Sequence, residues 1–131
     1  MPEIEPIPVR ANEASRAVVD ASFKIHNRFG PGLLESVYSI LLAHELRLRG
    51  HKVDREVKLP IVYEGVTTEA GLRMDLVVDD CLIVEVKAVD RMLPVFEAQL
   101  LTYLKLSGLR LGLLINFNVE LIKDGIQRIA H

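Results

Sequence analysis

The sequence has one cysteine, no tryptophan, only 5% aromatic residues and no long apolar run, and each scarcity removes a class of protein. Cys81 alone cannot close an intrachain disulfide, and with four scattered histidines (His26, His44, His51, His131) it offers no Cys/His spacing for zinc. A reducing, cytoplasmic setting is expected. No apolar stretch approaches the ~18 residues of a membrane span, and the acidic start Met1-Pro-Glu-Ile-Glu-Pro is unlike the basic-then-apolar opening of a signal peptide. No membrane role is expected either. Few aromatics disfavour a platform for stacking bases. A formal charge of −2 provides no global positive field, so any nucleic-acid binding must be local or shared with a dimer partner or a larger complex. What is present is ample for folding: 131 residues, half of them hydrophobic, fit one domain that buries roughly two thirds of its unfolded surface without disulfides or a structural metal.

Prolines at 2, 6 and 8 and the lack of periodicity predict an extended or flexible segment over residues 1–11, followed by a single domain over 12–131. Apolar residues at 14, 18, 21, 25 and 29, stopped by Gly30, predict a first helix over 12–29. Pro31-Gly32 turns the chain into a second helix over 33–49, apolar around most of its circumference and so expected to be buried. After Gly50 the period becomes two. Strands are predicted over 52–63, broken by Pro60, over 72–78, and over 82–88, where a nearly continuous apolar run marks a central strand. Leu72, Met74, Leu76 and Val78 are expected on one face of their strand. Pro94 opens and Gly108 closes a third helix, 109–117 is another apolar strand, and 119–122 with 126–130 around Asp124-Gly125 predict a terminal hairpin. The order ααβββαβββ describes an α+β fold with an α/β-type core, one sheet with helices packed on it.

Charges at positions where apolar residues are expected mark the candidate site. Glu35 shares its helical azimuth with Leu42 and Leu46, a face expected to be at least partly buried; the competing reading is a first-turn glutamate favoured by the helix dipole. In the 82–88 strand, Ile83, Glu85 and Lys87 share one face and Leu82, Val84, Val86 and Ala88 the other. Buried charges need partners or a metal, whereas a solvated edge strand would need neither. Asp75 and Glu85 converge only if their strands pair in a register whose numbers sum to an even value, which calls for an odd connection such as Asp79-Asp80-Cys81. Gln99 and Tyr103, four apart, share one face of the third helix, as in an ordinary amphipathic helix. The basic stretch Arg47, Arg49, Lys52, Arg55 and Lys58 is interleaved with Glu45, Asp54 and Glu56 and reads as a solvated surface rather than a phosphate track.

Five segments together, Gly32-Leu-Leu-Glu35-Ser-Val-Tyr38, Arg73-Met-Asp75-Leu-Val-Val, Ile83-Val-Glu85-Val-Lys87-Ala, Glu97-Ala-Gln99-Leu-Leu-Thr-Tyr103-Leu and Leu111-Gly-Leu-Leu-Ile-Asn116-Phe117, resemble the GxxExxY protein family, which is similar to the PD-(D/E)xK nuclease superfamily. The resemblance implies a restriction-endonuclease-like mixed sheet flanked by helices and Mg²⁺- or Mn²⁺-dependent hydrolysis of phosphodiester bonds in DNA or RNA. It implies Asp75 and Glu85 as metal-binding carboxylates, Glu35 completing the acidic cluster, and Lys87 orienting the attacking water. Gln99 and Tyr103 would be auxiliary polar residues near the scissile phosphate. Met74 stands where the superfamily has proline, a change that removes no ligand. Two alternatives are a catalytically silent nuclease-fold module that binds protein or nucleic acid, and a structural salt bridge from Lys87 to Asp75 or Glu85.

Overall fold

A computed structural model describes residues 6–131. Helix α1 (Val9–Phe29) starts three residues before the periodicity suggested, because Pro8 supplies an extended N-cap and Ala11 is already buried. Met1–Glu5 of the segment expected to be extended lie outside the described residues. Ala11, Ala14, Val18, Ala21 and Ile25 form the buried stripe of α1. Helix α2 (Glu35–Leu48) buries Tyr38, Leu42 and Leu46. Its opposite side is not covered: Ile40 and Leu48 are exposed, so this helix is less enclosed than its composition suggested.

Strands β1 (Val53–Tyr63), β2 (Val66–Val78), β3 (Leu82–Lys87), β4 (Leu111–Asn116) and β5 (Ile126–Ala130) form one sheet in the order β1-β2-β3-β4-β5. Only β3 and β4 are parallel, and they are joined across the sheet by α3 (Pro94–Ser107), the crossover that parallel neighbours need. Helices α1 and α2 cover one face, packing on Leu76, Val78, Leu82, Val84, Val86, Leu111, Leu113 and Ile115. Helix α3 covers the other through Leu100, Tyr103 and Leu104, against Ile83, Val77 and Leu114. A side chain at Gly112 of β4 would meet Leu100 Cδ1 at 2.8 Å, so glycine sets how closely α3 approaches the sheet. The mixed sheet flanked by helices is the architecture expected from the sequence.

One element differs. Residues 119–122 form no strand; the chain instead makes a 3₁₀ turn over Ile122–Gly125 before β5. The carbonyl of Val119 is taken by His26 Nε2 of α1 at 2.8 Å, which draws this segment onto the helix and away from a sheet partner. A backbone atom of Asn116 also lies where a Gly125 side chain would be, which holds the turn close to the end of β4. The element order is therefore ααβββαββ with the 3₁₀ turn between the last two strands.

The β1–β2 hairpin is longer than its neighbours and kinks in register. Its two-residue turn, Glu64 (φ 47) and Gly65 (φ 83), has the paired positive φ values of a tight hairpin, and the ladder shifts at Pro60, which has no N–H to give. A second irregularity lies deeper. Glu56 has φ 54, and Glu56 and Asp75 are skipped by the β1–β2 ladder. On one side of this level Val53, Leu76 and Val78 join the α1/α2 core; on the other Val57, Leu59, Leu72 and Met74 join the α3 core. The two strands exchange faces there, so Met74 and Leu76 pack on opposite sides rather than together.

Candidate active site

The register that brings the carboxylates together is set by the β2–β3 connection. Asp79 (φ 52) and Asp80 (φ 56) both occupy the left-handed region, and Cys81 N–H closes the turn on Val78 O at 3.1 Å. Asp and Asn tolerate this conformation better than other non-glycine residues. Asp79 is fixed from outside: its carboxylate accepts His51 Nδ1 at 2.6 Å and Lys52 N–H at 3.0 Å, and its own N–H donates to Lys52 O at 2.8 Å. Burial alone would raise the Asp79 carboxyl, but the His51 and Lys52 hydrogen bonds outweigh it and hold the group below the usual carboxylate range. The connection has three residues, and the pairs Val78↔Leu82, Val77↔Ile83 and Leu76↔Val84 follow. Each sums to an even number, as convergence of Asp75 and Glu85 requires.

The ladder stops at Leu76↔Val84, one step short of the two carboxylates. Beyond it the side chains take over the bonding. Asp75 N–H donates to Glu85 Oε2 at 2.8 Å and Val86 N–H donates to Asp75 Oδ2 at 2.9 Å. The parting strands thus keep their amides satisfied through the acids themselves, which also fixes both carboxyl groups against the backbone. Glu85 is 3% exposed. Burial, then the Asp75 charge and a hydrogen bond between the two carboxyl groups, push Glu85 up to about 8; the Asp75 amide and Lys87 oppose this without overcoming it. The pair therefore holds a proton where a cation would serve as well.

Lys87 follows on the same strand face. Its Nζ is 4.7 Å from the ring centroid of Phe96 on α3 and 3.9 Å from Glu35 Oε1 at the start of α2, and its side chain is 17% exposed. Within salt-bridge distance its acidic partner is Glu35, not Asp75 or Glu85, so the charges are not arranged as an internal Lys87 bridge to the carboxylate pair. Glu35 itself is 45% exposed although it shares the azimuth of the buried Leu42 and Leu46, because it stands at the open end of that face. It is the first residue of α2, one turn ahead of the buried stripe that begins at Tyr38, and the helix dipole favours its charge there. Tyr38 holds this helix start in place. Its hydroxyl donates to Gly30 O at 2.6 Å and accepts Leu33 N–H at 3.1 Å, while its ring stacks on Phe117 with centroids 4.5 Å apart.

Tyr103 of α3 is buried near the carboxylates. Burial, then the charges of Glu85 and Asp75, push its hydroxyl up to about 12, with a main-chain hydrogen bond at Arg73 acting the other way. Gln99, one turn earlier, is half-buried, and its side chain makes no hydrogen bond among the described residues. At the end of β4, opposite Lys87, Asn116 ties down the loop that follows: Oδ1 accepts Val89 N–H at 3.1 Å and Nδ2 donates to Val89 O at 3.0 Å.

A cavity of about 210 Å³ opens beside Asp75, lined by Arg55 and Glu56 of β1, Arg73 of β2, and Glu35, Ser36 and Ser39 of α2. Sequence reasoning placed Arg55 on a solvated surface. Two of its neighbours in that stretch are surface pairs, Arg49 with Asp20 and Glu45 and Lys52 with Asp80, while Arg47 donates to Val53 O. Arg55 is different because it alternates with Val53 on the strand face that turns inward, the same signal that singled out Glu85. Arg73 reaches this cavity because the faces exchange at Asp75.

The Asp75–Glu85 pair has the hard oxygen donors suited to Mg²⁺ or Mn²⁺. Among the described residues no group of three or more His, Cys, Asp or Glu side chains forms a ready-made cage. Two carboxylates are nevertheless a usual complement for Mg²⁺, which keeps several of its waters, and the raised Glu85 shows the repulsion that a cation would relieve. No described helix is long and apolar enough to cross a membrane.

Comparison with known proteins agrees with this geometry. Neither a curated protein nor a solved structure matches the chain. The sequence profile of the PD-(D/E)XK nuclease superfamily matches residues 12–129, which include both strands of the carboxylate pair, Lys87 and all three helices in whole or nearly so, and the chain belongs to that superfamily.

Proposed function

We propose that this chain is a Mg²⁺- or Mn²⁺-dependent nuclease that hydrolyses phosphodiester bonds in DNA or RNA, and that within its superfamily it is a GxxExxY protein, with Gly32, Glu35 and Tyr38 as the residues of that motif. The observation that carries the reading is the carboxylate pair at the point where β2 and β3 part, with Lys87 next on the same face. A scaffold has no physical need to bury Glu85 against Asp75, because burial and like charge both work against ionisation.

In this reading Asp75 and Glu85 hold the cation, and Glu35 adds a third carboxylate from α2. The chemistry expected of a bound divalent ion is Lewis acidity toward a phosphoryl oxygen and a water. Lys87 supplies three N–H donors at the mouth of the site, to orient water and to stabilise negative charge developing on the phosphate. Its contacts with Phe96 and Glu35 limit where the ammonium can go. Tyr103 remains a neutral hydroxyl at any ordinary pH and serves as a hydrogen-bond donor, with Gln99 one turn away.

The test is cleavage of single- and double-stranded DNA and RNA with Mn²⁺ or Mg²⁺ by the wild type, Asp75→Ala and Lys87→Ala. Metal-dependent products from the wild type and their loss in both variants are expected. Equal cleavage by all three proteins would overturn the assignment.

A further inference from the structure

We infer that Arg55 and Arg73 form a binding subsite for a backbone phosphate of the nucleic-acid strand, in the cavity between β1, β2 and the start of α2. The inference rests on the nuclease reading for the identity of the strand, but its own support is local. Arg55 Nε is shielded from solvent and has no hydrogen-bond partner among the described residues. A buried N–H on a permanent cation is costly to leave unmade and calls for an anionic acceptor.

The acids that line the cavity do not provide one. Glu35 lies 3.9 Å from Lys87, Glu56 lies 3.8 Å from Arg73 Nη1, and Asp75 accepts the Val86 amide. Arg55 makes no ion pair within 4 Å among the described residues, unlike Arg49 and Lys52 of the same stretch. Arg73, in a loose and exposed pair, is able to turn from Glu56 toward a stronger anion. Ser36 and Ser39 add two hydroxyls on the α2 wall.

Size and position fit a phosphate. The volume of about 210 Å³ is enough for one tetrahedral anion with part of its hydration. Asp75 belongs both to this cavity and to the carboxylate pair, so a phosphate here would be a near neighbour of the bond to be cut. Glu35, Glu56 and Asp75 on the same walls offset the two arginines, so a phosphate here would be held by the guanidinium donors themselves and not by a net positive field.

Fluorescence anisotropy of a labelled 12-nucleotide single strand in EDTA, where no cleavage occurs, tests the subsite apart from catalysis. Arg55→Met is expected to weaken binding about tenfold or more and to lower the slope of log affinity against log salt by about one. Arg55→Lys, which keeps the charge and loses the planar fork, should fall between. Because Arg55 Nε is unpartnered, Arg55→Met should melt at or above the wild-type temperature. A lower Tm with unchanged affinity would mean a structural arginine and overturn the inference. A second arm titrates inorganic phosphate at matched ionic strength: phosphate bound by the wild type and not by Arg55→Met, with oligonucleotide affinity equal in both, would mark a free-phosphate site and also overturn it. Failure of the two readings is separable. Lost strand binding in Arg55→Met without cleavage by the wild type leaves the subsite standing and removes the nuclease assignment, whereas cleavage with unaltered binding does the reverse.

Discussion

Replacing Glu85 by Gln changes one property of the site and almost nothing of its shape. The amide oxygen still accepts the Asp75 N–H that Glu85 Oε2 accepts at 2.8 Å, but the variant carries no proton to lose. In the wild type, burial and the Asp75 charge raise Glu85 from an ordinary 4.5 to about 8, so between these values the folded protein binds a proton that the unfolded chain has released. Stability from this group is fully present below about pH 4.5 and is lost as pH rises through about 8. The slope is at most about 1.4 kcal/mol per pH unit, so the total across the window is at most about 5 kcal/mol. For a chain of this length that limit corresponds to roughly 15 °C or more in melting temperature, at ~3–6 °C per kcal/mol. Thermal unfolding by circular dichroism in EDTA from pH 5 to 9 should show wild-type Tm falling relative to Glu85→Gln, with the variant the more stable at pH 9. Millimolar Mn²⁺ at pH 8 should restore the wild type and leave the variant unmoved, since a ligand stabilises only the fold that binds it. Parallel Tm curves for the two proteins from pH 5 to 9 would refute the account of Glu85.

Three further perturbations probe the parts that hold the site. Tyr38→Phe keeps the ring stack on Phe117 and removes the hydroxyl that joins Gly30 O and Leu33 N–H; a loss of about 1–3 kcal/mol is expected in urea unfolding, with cleavage reduced through misplacement of Glu35. Asp79→Asn preserves the tolerance for positive φ but loses the charge that His51 and the Lys52 amide stabilise. Its cost, about 1 kcal/mol, should be present above pH 4 and vanish as pH falls through the depressed wild-type value, as read from the two unfolding curves at pH 7 and pH 3. Gly112→Ala places a methyl against Leu100 and should lower stability by about 1–3 kcal/mol, and pairing it with Leu100→Ala should recover part of that loss in a double-mutant cycle.

The helices and most strands were legible because each obeys a single period. Pro94 and Gly108 bound α3 at the residues observed, with Gly108 at φ 77 closing it on Leu104 O. The even register of β2 and β3 followed from parity once Asp75 and Glu85 were required to meet. What could not be read was any departure from period that has no residue signature. Glu56 at φ 54 is neither glycine nor asparagine, so nothing in the sequence marks the exchange of faces that moves Met74 to the α3 side. The strand expected at 119–122 fails for a similar reason. His26 lies 93 residues away and its bond to Val119 O is a tertiary event. Of the two readings open for Glu35 the first-turn one describes its placement, since azimuth says nothing of where a helix starts and the first residue of α2 is left open to solvent.

The exchange of faces also accounts for why charges of both signs gather here. A regular β2 would carry its hydrogen bonds to β3 past Asp75, and the two acids would face the α3 core without a backbone amide to accept. Because the ladder ends at Leu76↔Val84, two amides become available, and the carboxylates of Asp75 and Glu85 take them. The same kink turns Arg73 away from α3 and toward α2, where Arg55 already lies. Anionic and cationic groups thus reach one end of the sheet through a single irregularity in two strands, while Val53, Leu76 and Val78 continue to pack beneath it in the α1/α2 core. A substitution that straightened β1 at Glu56 would therefore disturb the acids and the arginines together.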